Sequence, residues 1–494
     1  MSPVFWPKVR LLKAPHVEGS PASGGIDAAI SVPGLTSQQI ASFVITLLAA
    51  GFLSASDYGI YTLAIVFVEG VVMLSYTGFF HFIVNSKEDE TAVLSTMFWI
   101  MLGIGTFGGA TLIVASGPLA RVFNAPELEL VLRLLGLMQP FASAIGWASA
   151  VLTRTGQMRR YFSILIVSNL GGMIAGAIIL IWWQSLFALV AYRAIRIVLG
   201  LVLFGWGVPF WPRATFDPSM ARRAASYASG LYGSRFLSFF SNFGTDLVLA
   251  FLFSTAESGL YRFANRIAMA SVDIIGQPLR TYALKSFGEA ARNDAPLAPI
   301  FARFLGAMVF LMGGFAIVVV VLGGSAIDAL FKPEYLMALG AVYALAFRAA
   351  ALAGTNLIDP VFAARGTTKV ALYHNLFWTL VMVGVILLVS PYGFEALAGA
   401  QAAVSLAMSL AAIWVIGRWG HVNVAFALQR ACIALILLCF YAGALVFGWS
   451  LLPAHMPSGA WQLAAGFLLA AALAVPALFA AMRTKVFSLQ VFSG

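Results

Sequence analysis

The feature of this sequence that most restricts its fold is a series of long apolar segments, separated by short polar turns or turns marked by proline and glycine. Each segment is long enough for the roughly 20 residues that a helix needs to cross the hydrocarbon core of a bilayer. The segments show no strict alternation of apolar and polar residues, which argues against a membrane β-barrel. Only 10% of the residues are charged and the mean hydropathy is +0.93, which excludes a water-soluble globule. The sequence therefore predicts an all-α, polytopic membrane protein.

We predict about fourteen transmembrane helices. Their approximate spans are 28–53, 58–84, 91–115, 127–152, 162–182, 185–207, 226–254, 257–283, 298–323, 336–363, 369–390, 394–416, 427–450 and 459–482. With the amino terminus taken as cytoplasmic, seventeen Lys and Arg residues lie in the inner loops and tails, and only Arg121 and Lys332 lie outside. Because positively charged loops remain in the cytoplasm, both termini are predicted to be cytoplasmic.

The same scattered distribution of Lys and Arg accounts for the net charge of +10 without a nucleic-acid partner, since no dense basic face is formed. The predicted outer loops are all short, so none provides a catalytic domain, and we predict that the protein is not an enzyme. The five histidines do not cluster, and no glycine-rich nucleotide-binding loop occurs. We therefore expect neither a metal nor any other cofactor.

An internal repeat links the two halves of the chain. Leu53–Ala64 aligns without gaps with Phe253–Ala264, so that Ser, Gly, Tyr and Ala coincide and Asp57 matches Glu257. This is where a duplication of six spans places the match. Because six is even, both halves enter the membrane in the same direction, which predicts two six-helix lobes in a parallel, pseudo-two-fold arrangement with a central site between them.

The predicted organisation follows from the spans and the repeat. It comprises a cytoplasmic tail (1–27), a first lobe (28–207), a cytoplasmic inter-lobe loop (208–225), a second lobe (226–416), two C-terminal helices (427–482) and a cytoplasmic tail (483–494).

Ionisable groups inside membrane spans are costly and by default indicate a pathway or an ion pair. On span eight, four such groups lie within about 40° of one another on an ideal helix, and so form one polar stripe. They are Arg262, Arg266, Asp273 and Arg280. The candidate substrate-binding residues are Arg235, Arg262, Arg266, Arg348, Asp246 and Asp273.

The charges are unevenly divided between the halves, because Arg262, Arg266 and Asp273 align with uncharged residues of the first half. We therefore expect the second lobe to hold the specialised charge. Surplus arginine side chains that line a cavity would bind an anionic substrate, since guanidinium binds phosphate through two parallel hydrogen bonds.

A purely structural role for these charges is equally open. Spans seven and eight form an antiparallel hairpin, which brings Asp246 to the depth of Arg266, and Arg235 to the depth of Asp273. These residues would then be interhelical ion pairs that hold the hairpin together.

The stretch Gly259–Arg266, followed by Gln277, Pro278 and Leu279, resembles the polysaccharide transporter family of the multidrug/oligosaccharidyl-lipid/polysaccharide exporter superfamily. The segment Ser56–Tyr61 is similar to the first hairpin of that family. The resemblance covers nearly the whole chain and is most specific for transport proteins of succinoglycan-type exopolysaccharide clusters.

The resemblance implies a flippase that moves undecaprenyl-diphosphate-linked oligosaccharide repeat units across the bacterial inner membrane for exopolysaccharide biosynthesis. Transport would occur by alternating access through an arginine-lined central cavity. The expected partners are a lipid-linked anionic oligosaccharide, membrane lipid, and the polymerase and export proteins of a polysaccharide assembly system.

Other functions make different demands on the sequence. An ion-coupled multidrug exporter of the same superfamily should favour buried carboxylates, and a membrane glycan polymerase needs a substantial outer loop. Related lipid II flippases place several arginines in the cavity of the first lobe, whereas spans one to three here have no basic residue in their interiors. The flippase of lipid-linked oligosaccharide is the interpretation that fits best.

Overall fold

The structure of the chain is a computed structural model that describes residues 21–86, 90–452 and 459–487. Within these ranges the chain is helical and contains no strand. The α-helices are α1 (Pro21–Phe52), α2 (Ala55–Asn85), α3 (Glu90–Val122), α4 (Glu127–Leu137), α5 (Gln139–Arg154), α6 (Met158–Trp183), α7 (Leu186–Gly207), α8 (Pro218–Leu252), α9 (Thr255–Ser271), α10 (Gln277–Arg292), α11 (Ala298–Leu330), α12 (Leu339–Ala351), α13 (Ile358–Ala364), α14 (Thr368–Val389), α15 (Phe394–Trp419), α16 (Ala425–Leu451) and α17 (Ala460–Arg483).

The predicted fold class, an all-α multi-pass membrane protein, is confirmed. Each of the fourteen predicted segments coincides with one helix or with a run of consecutive helices. By length and composition, ten helices of the described residues can cross a membrane, or eleven if α4 and α5, which meet at 41°, form one broken span. The count of fourteen is therefore not confirmed. The segments outside this count are α1, α8 and the run from α9 to α10, whose sequences include several polar residues.

The helices pack in two groups with an appended pair. In the first half α6 packs against both α1 and α7, and α3 packs against α4 and α5. In the second half α12 packs against α9, α11 and α15. Helix α16 lies along α11, and α17 packs against both. The two halves also pack against each other, because α2 contacts both α8 and α9. The predicted residue boundaries of the lobes remain predictions.

The repeated sequence forms the same local structure twice. Ser54 caps α2 by accepting a hydrogen bond from the Asp57 amide (3.0 Å), and Ser254 caps α9 by accepting one from the Glu257 amide (3.2 Å). These caps satisfy amide groups that would otherwise lack a partner in the first helical turn. The serine that precedes each helix therefore fixes where the helix begins.

The two halves meet where α2 and α9 begin. The Ala55 amide donates to the carboxylate of Glu334, which lies in the turn between α11 and α12 (2.8 Å). Nearby, the hydroxyls of Ser56 and Thr255 lie 2.8 Å apart. The lobes are therefore held together by hydrogen bonds at this end of the molecule.

Helix α9 continues into α10 through a π-helical turn, Val272–Gly276. Pro278, at the start of α10, lacks the amide hydrogen that an uninterrupted helix would use. Each residue of an α-helix advances by about 100°, so one additional residue in a turn rotates all following side chains to another face.

Candidate inter-lobe binding cavity

A cavity of about 690 Å³ lies between the two halves of the molecule. Helices α1, α2 and α7 line it from the first half, and α9, the π-helical turn and the α12–α13 region line it from the second. The charged residues of its described wall are Glu69, Arg193, Arg196, Arg262, Arg266 and Asp273. Four arginines against two carboxylates give these residues a formal charge of +2.

Arg262 reaches across from the second lobe to the first. Its side chain is buried, with 5% of the residue's surface exposed. One terminal nitrogen donates to the Gly59 carbonyl (3.3 Å) and to the Thr62 hydroxyl (2.5 Å), both on α2. Thr62 is the residue that aligns with Arg262 in the internal repeat, so equivalent positions of the two halves contact each other.

Arg266 also binds the opposite lobe. It forms an ion pair with Asp273 (3.1 Å) on its own helix run and donates to the backbone carbonyl of Gln39 on α1 (3.1 Å). Gln38 and Gln39 both line the cavity, so these polar residues of the first predicted span have a place in its wall. Both arginines of α9 therefore lie in the cavity wall and at the contact between the lobes.

The first lobe contributes charges that the sequence analysis did not identify. Arg193 of α7 forms an ion pair with Glu69 of α2 (3.0 Å). Arg196 lies one turn further along α7 and forms no ion pair with any carboxylate among the described residues. Both lobes therefore contribute charge to the cavity wall, so the uneven division expected from the sequence does not extend to the cavity as a whole. Two basic residues three positions apart in an apolar span share one helix face, and this spacing was the available signal.

Three of the six candidate site residues, Arg262, Arg266 and Asp273, line the cavity. Arg348 lies behind the wall, where it donates to the side-chain oxygen of Asn265 (3.3 Å), a residue that does line the cavity. Arg235 and Asp246 lie on α8, and their side chains are not among those that the structure describes. The predicted pairs that involve them therefore remain predictions.

Arg280 does not continue the predicted stripe into the cavity. It forms an ion pair with Asp359 of α13, and both side chains are partly exposed. The prediction assumed an uninterrupted α-helix from Arg262 to Arg280, whereas the π-helical turn rotates Arg280 away from the face of Arg266. Among the described residues no group of three or more His, Cys, Asp or Glu side chains is arranged to hold a metal ion.

A cavity lined with charges, between two packed groups of apolar helices, is typical of a membrane transporter. The family model described as "Polysaccharide biosynthesis protein" matches residues 48–339, more than half of the chain, and the chain belongs to this family. The predicted membership of a polysaccharide transport family is thereby confirmed.

The chain is similar to a curated protein, the succinoglycan biosynthesis transport protein ExoT of Rhizobium meliloti (strain 1021). The two are 22% identical over 247 residues, so the match spans about half the length of each. This is the same type of transport protein that the sequence motifs resemble.

Solved structures share the fold. The lipid II flippase MurJ in an inward closed conformation has a TM-score of 0.69 at 13% identity, over 92% of this chain and 99% of that one. An inward-facing multidrug resistance transporter of the MATE family has a TM-score of 0.64 at 13% identity, over 80% and 95%. These relatives are transport proteins and not enzymes. The chain is thus a multi-pass membrane protein of polysaccharide biosynthesis with a transporter fold.

Proposed function

We propose that the protein is a flippase that moves undecaprenyl-diphosphate-linked oligosaccharide repeat units across the bacterial inner membrane for exopolysaccharide biosynthesis. The observation that carries this proposal is the excess of arginine in the inter-lobe cavity, four guanidinium groups against two carboxylates. A buried excess of positive charge is costly in a membrane protein unless an anion compensates for it. A diphosphate is such an anion, and arginine binds phosphate oxygens through paired hydrogen bonds.

Hydrogen-bond donors without partners support an oxygen-rich ligand. Four polar atoms of cavity residues are buried and have no partner among the described residues: the Tyr192 hydroxyl, the Asn356 amide nitrogen, and the Nε atoms of Arg193 and Arg266. Three of the four are donors only, and the hydroxyl can donate as well. These atoms are covered by protein in this conformation, so phosphate and sugar oxygens would satisfy them only after the lobes move apart.

Alternating access fits the contacts between the lobes. The lobes are joined at the end where α2 and α9 begin, through Ala55–Glu334 and Ser56–Thr255. With the predicted orientation, in which both termini are cytoplasmic, this end faces outward. Rocking one lobe against the other would break these contacts and open the cavity to the outer side of the membrane.

Cationic drug export is the less suitable alternative. A carrier for cations needs an excess of carboxylates in its cavity, whereas here arginine outnumbers carboxylate in the described wall. Lipid II transport is a stronger second candidate, because Arg193 and Arg196 place basic groups on the first-lobe side of the cavity. Loss of a lipid II flippase would stop wall synthesis, whereas loss of an exopolysaccharide flippase would stop only the secreted polymer.

Deletion of the gene tests the proposal. Lipid-linked sugars should then accumulate on the cytoplasmic face, where a membrane-impermeant lectin or hydrolase reaches them in inverted vesicles but not in right-side-out vesicles. Re-expression of the intact chain should restore the outer pool and the polymer. Equal accessibility in both vesicle types before and after deletion would contradict the proposal.

A further inference from the structure

We infer that Asn265 binds the substrate through its amide nitrogen. Arg348, behind the cavity wall, is a positioning residue that fixes this orientation of the Asn265 amide. This inference rests on the proposed function and extends it to a neutral group. Asn265 lines the cavity on α9, three residues after Arg262. Residues three positions apart are neighbours on a helix surface.

The contact with Arg348 determines which end of the Asn265 amide faces the ligand. Arginine has only donors, so the partner of its terminal nitrogen has to be an acceptor, and the Asn265 oxygen takes that place at 3.3 Å. The amide nitrogen, at the other end of the planar group, is therefore turned away from Arg348. With its oxygen fixed in this way, Asn265 presents a donor and not an acceptor to a ligand beside two guanidinium groups.

No carboxylate among the described residues neutralises the charge of Arg348. This arginine forms no ion pair among the described residues, and its Nε atom is buried without a partner there. A cation held behind the amide polarises the carbonyl oxygen and strengthens the donor at the opposite end. Charge inside a membrane protein therefore acts on the cavity through a neutral side chain.

A second hydrogen bond fixes α9 beside Asn265. One turn before Asn265, the Tyr261 hydroxyl donates to the side-chain oxygen of Gln401 on α15 (2.5 Å), and both residues are buried. Helix α9 is thus attached to α15 by Tyr261 and to α12 by Asn265. Asn265 lies at the edge between the face that carries Tyr261 and the face that carries Arg262 and Arg266.

Binding of undecaprenyl diphosphate to the purified full-length chain in lipid nanodiscs provides the test, with neutral undecaprenol as the reference lipid. Asn265→Asp keeps the size and the partner for Arg348 but replaces the donor with a carboxylate, so affinity for the diphosphate should fall about tenfold or more. Asn423→Asp is the matched control, because Asn423 uses its oxygen to accept from the Ala425 amide (3.1 Å) outside the cavity. This control should bind as the unchanged chain does.

A double-mutant cycle separates positioning from a general structural role. Arg348→Met should weaken diphosphate binding, Arg348→Lys should restore part of it by keeping a donor, and Asn265→Leu/Arg348→Met should bind no worse than Asn265→Leu alone. Losses that multiply in the double variant would show that Arg348 acts independently and would overturn the inference. Normal binding by Asn265→Asp would overturn it as well. If Arg262→Ala and Arg266→Ala also bind normally, the proposed function itself fails.

Discussion

Gly59 and Gly259 occupy equivalent positions in the two halves of the chain, and each packs against the helix of the other where α2 crosses α9. A Cβ atom at Gly59 would lie 2.1 Å from the Thr255 carbonyl oxygen, and one at Gly259 would lie 1.9 Å from that of Ala55. The contact is reciprocal, as it is for any pair of sites across a two-fold axis. The pseudo-two-fold axis of the internal repeat therefore passes between these glycines.

Adding a methyl group at this crossing should open the end of the molecule that it holds closed. Overpacking costs about 1–3 kcal/mol, enough to change the ratio of two conformations by roughly fivefold to a hundredfold. Gly59→Ala and Gly259→Ala should therefore reduce glycan export. A cysteine at Ile65, which lines the cavity, should react faster with an impermeant thiol reagent from that end.

The thiol measurement uses a chain in which Cys432 and Cys439 are replaced by alanine, since both are free and exposed. Gly103→Ala is the matched control, because a Cβ atom at Gly103 meets no atom within 4 Å. If Gly59→Ala exports glycan and reacts as Gly103→Ala does, the close approach of the helices has no role in closure.

Much of the fold was predictable because it follows from hydropathy and from the repeat. The fourteen apolar segments, the matching starts of α2 and α9, and the places of Arg262 and Arg266 in the cavity wall all follow from local patterns. Hydropathy alone does not decide how many segments cross the membrane. Segments that build a polar cavity lose the apolar character by which a span is recognised.

Local patterns gave only weak signals for other parts of the site, because these parts depend on helix packing and on a local change of helix type. Arg193 and Arg196 lie on α7, and only the three-dimensional packing of α7 against the rest of the first lobe brings them to the cavity. The predicted position of Arg280 was wrong because no sequence pattern predicts the π-helical turn that rotates this residue. Pro278 two residues after this turn was the nearest signal.

The arginines of α9 should be required for transport, whereas Arg280 on the same helix run should not. We expect Arg262→Ala and Arg266→Ala each to abolish glycan export at normal protein level. Arg280→Ala should keep most of it, because a partly exposed pair such as Arg280–Asp359 contributes only about 0–1 kcal/mol. Polymer output per unit of membrane protein measures the difference. Normal output from both α9 variants would remove these arginines from the substrate path.

Exchanging the charges of Arg266 and Asp273 separates ion pairing from ligand binding. The double variant Arg266→Asp/Asp273→Arg preserves a pair, yet it removes the guanidinium that contacts Gln39 across the lobe interface. We expect a folded protein that does not export glycan. Recovery of export would indicate that the pair is structural. The same exchange between Arg266 and Asp246 tests the other pair predicted from the sequence.

The orientation predicted from the positive charges can be read with reporter fusions. A fluorescent protein that matures only in the cytoplasm should be active when fused after Phe487, at the end of α17. An alkaline phosphatase reporter should be active only when inserted beside Lys332, in the turn between α11 and α12 that is predicted to face outward. Phosphatase activity from the C-terminal fusion would contradict a cytoplasmic carboxyl terminus.

The Arg193–Glu69 pair should show stability and transport to be separable. Only 12% of the Arg193 side chain is exposed, so Arg193→Met leaves Glu69 with an unpaired charge near apolar helices. Breaking a fully buried pair from one side costs about 3–5 kcal/mol, and the cost here is smaller because 32% of the Glu69 side chain is exposed. The melting temperature of the purified variant should therefore fall.

Neutralising the partner should reverse that loss. Glu69→Gln/Arg193→Met removes both charges, so its melting temperature should return towards that of the unchanged chain. Glycan export should not return, because the cavity has lost one of its four described guanidinium groups and the ligand one of its donors. Recovery of export together with stability would assign Arg193 a structural role alone and leave Arg196 as the first-lobe arginine available to the substrate. If Arg193→Met alone has the melting temperature of the unchanged chain, the Arg193–Glu69 pair contributes little to stability.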